Sequence, residues 1–385
     1  MSEKISETEI EHATSVKRIF VREMPTPTRP GRARFKNTTD YSIFDVGRQH
    51  PPTPLDNSTI AMMSAHNFEL LNKDQIPNHY QGLIGPDGKV WAVQQAIDQG
   101  IALDTVEVLY VNRVLPQHFQ GQGWDYSQFR VNKVNNFILP IEFISRNELP
   151  PEASVWKKPG EDLEKTLQAW GLPEGFKNGD AVPEALKPLL SYTTKFEKYD
   201  QSLARQQVQE MLGFSCRTMG TIDEMTRAAS RLMTDYAESR GFKRLDGKVE
   251  YIVVSESNNQ IYLLGDAVCT WHEDRLLWKG FGVSKQQIRN KAKALNPEWT
   301  AEIDRAKKAA AEQAVEDFRT LMDPEVQYRS PSAEFFKAVN LLFQAGTNQW
   351  LGAGLYKLYH SKNYSTAEAL DKAIEDFKAV NAAEI

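Results

Sequence analysis

A chain of 385 residues exceeds what one ordinary core requires, so a small binding module is excluded and two domains or one two-lobed enzyme are expected. Hydrophobic residues make up 41% and charged residues 25%, a globular mixture that fits neither a collagen-like nor a wholly disordered chain. Lysine and arginine number 46 against 51 acids, a net charge of −5, which leaves no general footprint for nucleic acid and confines any phosphate chemistry to a local site.

Residues 1–30 begin polar and end in Met24-Pro25-Thr26-Pro27-Thr28-Arg29-Pro30, whose prolines block regular pairing and predict an extended N-terminal arm. Met1–Phe20 carries charges throughout and no apolar stretch of signal-peptide length, and no 18-residue apolar run follows, so neither secretion nor membrane insertion is expected. From Gly31 to Pro140 the pattern is mainly that of strands, such as Thr105–Val111, interrupted by a helix around Ile60–Leu71. Prolines, glycines and charges between Pro150 and Ser191, including Lys157-Lys158-Pro159-Gly160, predict surface loops around a site.

Thr221–Arg240 reads as a helix. Thr221 and Glu224 form a capping box, Ile222, Met225, Ala229, Leu232, Met233 and Tyr236 share a core face, and Gly241 is the stop. Val249–Val254 and Gln260–Leu264 predict a hairpin across the polar turn Ser255–Asn259. Helical patterns close the chain over Trp299–Met322, Ala333–Phe343 and Thr366–Phe377, broken at Asp323-Pro324 and Ser330-Pro331. The expected organisation is an arm (1–30), a β-rich lobe (31–140), a mixed α/β lobe (141–300) and a helical extension (301–385), an α+β fold overall.

Only Cys216 and Cys269 are present, without metal-ligand spacing, which favours a reducing compartment such as the cytoplasm. GxxxxGK[ST], GxSxG and HExxH motifs are absent, and the histidines do not cluster. What remains is a set of separated strings: Gly31-Arg32-Ala33-Arg34-Phe35, Asp40-Tyr41-Ser42-Ile43-Phe44-Asp45, Leu139-Pro140-Ile141-Glu142-Phe143-Ile144-Ser145-Arg146-Asn147, Ser191-Tyr192-Thr193-Thr194-Lys195-Phe196-Glu197, Asp246-Gly247-Lys248-Val249-Glu250, and Gly265-Asp266 leading to Arg275. Strand alternation puts Lys248 and Glu250 on one side, with Asp266 arriving from the neighbouring strand. Read alone, Gly31–Arg34 is an exposed basic turn, and Lys248 with Glu250 a surface ion pair.

In this order and spacing the strings resemble the phosphoribosylaminoimidazole-succinocarboxamide synthase, or SAICAR synthetase, family, particularly its archaeal-type branch, over roughly Gly31–Arg289. The resemblance implies an ATP- and Mg²⁺-dependent ligase joining a carboxyaminoimidazole ribonucleotide to L-aspartate in de novo purine biosynthesis. A carboxylate is a poor electrophile, so phosphoryl transfer first makes an acyl phosphate, which the amine then attacks; positioning and charge neutralisation carry such a reaction.

By the same resemblance Arg32 and Arg34 face the ATP phosphates, and Phe137 and Leu139 belong to a hinge that meets adenine largely through its backbone. Lys248 contacts nucleotide, Glu250 and Asp266 stand near the metal, and Lys195 lies near ATP and the reacting carboxylate. Lys248, Lys195 and Asp266 are the catalytic candidates. Arg146, Ser154 and Arg275 hold the ribose 5′-phosphate, and Asp45 lines the substrate cleft. The family is commonly homo-oligomeric.

Two departures stand out. A glycine-lysine-glycine segment is replaced by Pro54-Leu55-Asp56-Asn57-Ser58, and a carboxylate before the substrate arginine is replaced by His272, which reads most simply as a surface or loop histidine. They leave open a ligase of the same fold with another amino-acid or carboxylate substrate, or a nucleotide-binding paralogue without turnover.

Overall fold

The computed structural model describes residues 8–10, 16–119, 123–130, 134–157, 160–256, 259–359 and 364–383. Lys158 and Pro159 of the expected surface loop, and Ser257 and Asn258 of the expected turn, lie outside them.

Two antiparallel sheets form the frame. The first runs edge to edge through Thr8–Ile10, Lys17–Glu23, Gly31–Asn37, Thr105–Tyr110, Tyr80–Ile84 and Val90–Trp91. Lys17–Glu23, assigned from sequence to the arm, is therefore a full sheet strand, with Ile19 opposite Phe35 and Val21 opposite Ala33. Ile19 and Val21 share one face, with Arg18, Phe20 and Arg22 on the other, which suits a half-buried strand; the prolines begin only at Pro25, after the strand has ended.

The second sheet runs Ser202–Leu203, Leu189–Thr194, Phe137–Arg146, Phe242–Glu256, Asp274–Trp278 and Phe281–Gly282, and Asn259–Gly265 pairs with the far half of the long strand Phe242–Glu256. Pro140 sits inside Phe137–Arg146. It has no N–H to give the ladder, and pairing with the long strand shifts register between Ile138 and Glu142. Parallel bridges at Asn78–Leu264 and Asn112–Phe137 tie the two sheets together.

The helix Cys216–Ser239 covers one face of the second sheet, burying Ile222, Ala229 and Met233. It starts earlier than the Thr221–Glu224 pair predicts: Ser215 Oγ accepts from Thr218 N at 3.0 Å, and Thr221 lies inside the helix, its hydroxyl donating to Arg217 O. Gly241 follows with φ +84°, as a stop requires.

The stretch read as one helix, 299–322, is two elements. Pro297–Gln313 ends at Ala314 in a left-handed conformation, and a single turn, Phe318–Leu321, is capped by Asp317. Ala333–Leu351 packs between Ser58–Lys73 and Thr366–Ala383, burying Phe335, Phe336, Phe343 and Trp350 in the same core as both sheets.

Candidate active site

The site is one face of four neighbouring strands. Glu142, Ile144 and Arg146 project from Phe137–Arg146, and the register sets them opposite Glu250, Lys248 and Asp246 on the long strand. Thr193 stands beside Glu142 on the next strand, donating to its Oε2 at 3.2 Å, and Arg275 lies opposite Asp246 on the other side. A two-residue period thus lines up charges that the sequence spreads over more than 130 positions.

The charges are tightly paired. Lys248 Nζ lies 2.7 Å from Glu142, 3.2 Å from Glu273 and 3.3 Å from Glu250. Glu250 also pairs with Lys195. Lys17 Nζ, from the first sheet, reaches Asp266 Oδ1 at 2.7 Å. Burial alone would push the Lys248 ammonium toward neutrality, but Glu142 and Glu273 outweigh it and hold its pKa well above the lysine range. Burial likewise opposes ionisation of Asp266, and the Lys17 and Lys195 ammoniums overcome it, keeping Asp266 far below the carboxylate range. Glu250 is pushed up, chiefly by burial.

Two cavities meet here. A slot of about 230 Å³ between the sheets has apolar walls, including Ile19, Phe35, Leu109, Ile138 and Ile252, and charged groups, Lys17, Arg113, Lys195, Glu250 and Asp266. A crevice of about 610 Å³ contains Asp45, Glu142, Arg146, Ser154, Lys248, Glu273 and Arg275. Glu250, paired with Lys195 of the slot and Lys248 of the crevice, marks their junction. A larger cavity of about 870 Å³ on the outer flank shares Arg146 and Ser154 but contains none of Lys195, Lys248, Glu250 and Asp266, so size does not locate the chemistry.

Arg146 and Arg275 converge on a single carboxylate: Asp246 Oδ2 accepts from Arg146 Nη1 at 3.0 Å and from Arg275 Nη1 at 2.5 Å. Two guanidiniums against one carboxylate leave positive charge for an anion. Ser154 is exposed at the rim of the same crevice, and Asp45 faces it from a turn across the opening.

Two expected nucleotide contacts, Arg32 and Arg34, lie elsewhere. Phe35 faces the slot, so alternation turns Arg32 and Arg34 to the opposite face of the sheet, where with Arg22 they surround the buried carboxylate of Glu107. The side chains of Phe137 and Leu139 are in the core, and Ile138 between them faces the slot; its N–H donates to Asn112 O at 3.1 Å.

Lys17, Glu142, Glu273, Lys285 and Arg289 belong to the site without having been singled out. Glu142 had a readable signal, an acid two residues from Ile144 and four from Arg146 in an apolar strand. Lys17 had none, because its strand was read as an arm.

The two departures separate. Asp56 lines neither site cavity; it caps its own helix through Ser58 and accepts from Gln344 Nε2 at 2.7 Å. His272 sits in the turn 271–273, half-buried rather than fully on the surface. It lies in the crevice with Nε2 buried and unbonded, and burial, aided by the Lys285 charge, lowers its pKa to about 3.

Residues 17–306 match the family described as SAICAR synthetase. The chain belongs to the SAICAR synthetase family. A protein of Archaeoglobus fulgidus provisionally named phosphoribosylaminoimidazole-succinocarboxamide synthase is 29% identical over 277 residues, covering 71% of this chain and 77% of that one. The synthase of that name from Halorhodospira halophila is 30% identical over 166 residues, 41% of this chain and 52% of its own length. The SAICAR synthase of Saccharomyces cerevisiae, solved in complex with SAICAR, superposes with a TM-score of 0.55 at 16% identity, covering 92% of this chain and 97% of that one. That coverage extends beyond residue 306, so the SAICAR synthetase fold takes in part of the C-terminal helices that sequence alone left unmatched.

Among the described residues, no three His, Cys, Asp or Glu side chains gather to hold a metal ion unaided, and no helix is long and apolar enough to cross a membrane.

Proposed function

We propose that the chain joins carboxyaminoimidazole ribonucleotide to L-aspartate with consumption of ATP, forming SAICAR, ADP and phosphate. Family membership supplies the reaction class, an ATP-dependent ligase of purine biosynthesis. The observation that carries the substrate assignment is the convergence of Arg146 and Arg275 on Asp246, one strand position from Gly247 and two from Lys248. A forked pair of guanidiniums with the Ser154 hydroxyl at the rim suits a phosphate monoester.

In this reading the apolar slot takes the purine of ATP, and Lys17 and Lys195 face its phosphates. Lys17 replaces Arg32 and Arg34 in that role, being the basic residue of the first sheet on the slot side. Phe137 and Leu139 stay in the proposal only as the backbone flanking Ile138. The ribotide lies in the crevice with its phosphate at Arg146, Ser154 and Arg275 and its carboxylate toward Lys248, while Asp45 borders it. Lys248 neutralises the charge that develops as the carboxylate attacks the terminal phosphate.

Glu250 and Asp266 fit a magnesium site. Glu250, buried, and Asp266, half-buried, are carboxylates on the slot, each paired with a lysine, and Mg²⁺ is commonly bound through one or two carboxylates plus substrate phosphates. When bound there, the ion supplies charge neutralisation at the phosphates. Free Cys216 and Cys269 agree with the cytoplasm, and we extend the homo-oligomeric habit of the family to this chain.

ADP release by the purified chain tests the reading. Turnover should need ATP, Mg²⁺, L-aspartate and the carboxylated ribotide together; ADP release that continues without both ribotide and aspartate would refute it.

A further inference from the structure

The turn that presents Asp45 is strained. Phe44 and Asp45 are consecutive non-glycine residues with φ of +53° and +65°, a left-handed conformation that costs energy at each and persists only where neighbours impose it. Within the turn itself, only a Val46 N to Ile43 O bond of 3.3 Å closes the loop.

The neighbours that impose it come from the C-terminal helices. The Phe44 ring meets Trp299 edge-on at 6.1 Å, and Lys293 lies over its face at 5.5 Å. Asp45 Oδ2 accepts from Lys307 Nζ at 2.5 Å. The Lys307 side chain is 23% exposed and also lies over the Phe318 ring, so its charge is partly shielded from solvent, while the Asp45 side chain is 37% exposed at the crevice mouth. By contrast, Lys157 and Asp304 pair across the same crevice at 3.7 Å with both side chains mostly exposed, a geometry that contributes little. Lys307 lies one residue past the segment that matches the family.

We propose that Lys307 is a positioning residue: it holds the Asp45 carboxylate toward the crevice in its strained turn and so makes ribotide binding depend on the C-terminal helix Pro297–Gln313. This rests on the ligase reading for the identity of the ligand, but not for the ion pair itself.

Full-length Lys307→Met and Lys307→Arg, assayed by ADP release, test it. Lys307→Met is expected to raise KM for the ribotide about tenfold while KM for ATP stays within about twofold and kcat falls by less than about threefold, and Lys307→Arg to recover most of the loss. Unchanged ribotide KM, or equal rises for ATP and ribotide, would overturn the proposal.

A cycle of Lys307→Met, Asp45→Asn and the double variant, followed by urea unfolding, needs no substrate. Non-additive losses support the pair, and additive losses overturn it. If the unaltered chain forms no product, the ligase reading falls, and this cycle still decides the role of Lys307.

Discussion

Between Asp246 and Lys248 the chain carries a glycine because an ion pair passes against its backbone. Arg244 Nε donates to Asp274 Oδ2 at 2.6 Å with both side chains buried, and a Cβ on Gly247 would come within 3.0 Å of both. The pair is anchored further, by Arg244 Nη1 on Ser230 and Nη2 on Ser145, so it cannot yield cheaply. Gly247→Ala is therefore expected to cost about 1–3 kcal/mol, an overpacking penalty readable by urea unfolding. It should also lower turnover by displacing Lys248; wild-type stability with wild-type kcat would contradict the contact.

At the same scale, Asp246, Lys248 and Glu250 could be read from the sequence because charges at a spacing of two in an apolar strand must share a face. Arg32 and Arg34 have that spacing too, but spacing does not tell which face of a sheet meets the cleft. Packing of Phe35 and Ala33 toward the inside decides it, and that depends on strands from elsewhere in the chain.

Among elements, the long apolar-patterned helices and the hairpin are legible, whereas their ends depend on partners. Ala333–Leu351 reads as finished at Phe343 because the next six residues, Gln344–Gln349, carry four polar side chains and Gly346. The helix nonetheless continues, since the Trp271 indole lies against Gly346, where a Cβ would meet Cζ2 at 2.8 Å, and Thr347 Oγ1 accepts from Trp271 Nε1 at 2.9 Å. A glycine that weakens an isolated helix is here the socket for a tryptophan.

The last turn then delivers Trp350, fully buried against Phe242, Trp271 and Tyr236, with Nε1 donating to Asn67 Oδ1 at 2.9 Å. Trp350→Ala removes that packing and leaves Asn67 short of a donor. Thermal or urea unfolding should register a loss of about 3–5 kcal/mol. A loss below about 1 kcal/mol would mean that the C-terminal helices are an appendage rather than part of the core.

Across the whole molecule, three histidines are held below the usual imidazole range. Burial lowers the pKa of His66 and His79 to about 4 and of His272 to about 3, with Lys73 and Arg240 adding to the effect at His66 and Lys285 at His272. None of the three can be guessed from composition, because each is covered, His79 fully and His66 and His272 in part, by neighbours distant in sequence, such as Tyr236 at His66 and Phe35 at His79.

In the unfolded chain these rings titrate near 6.5. Between pH 6.5 and about 4 these rings thus bind more protons in the unfolded state than in the folded one, and their contribution to folding stability must fall as the pH falls. Glu273 and Asp266, held low by neighbouring lysines, stay ionised through this window, whereas Asp274, pushed up to about 6 by burial, and Asp200, Glu250, Glu197 and Glu69, also raised by burial, take up protons first in the folded state and oppose the loss. Three such groups set an upper bound of roughly 4 kcal/mol per pH unit on the slope, at ~1.4 for each proton. Urea unfolding at intervals from pH 7 to 5 should therefore show a histidine contribution that is retained above pH 6.5 and lost below it, against the opposing carboxylate contribution. His66→Gln should flatten the decline by about one proton, because the glutamine does not titrate. An unchanged slope in His66→Gln would mean that this ring takes up its proton inside the fold.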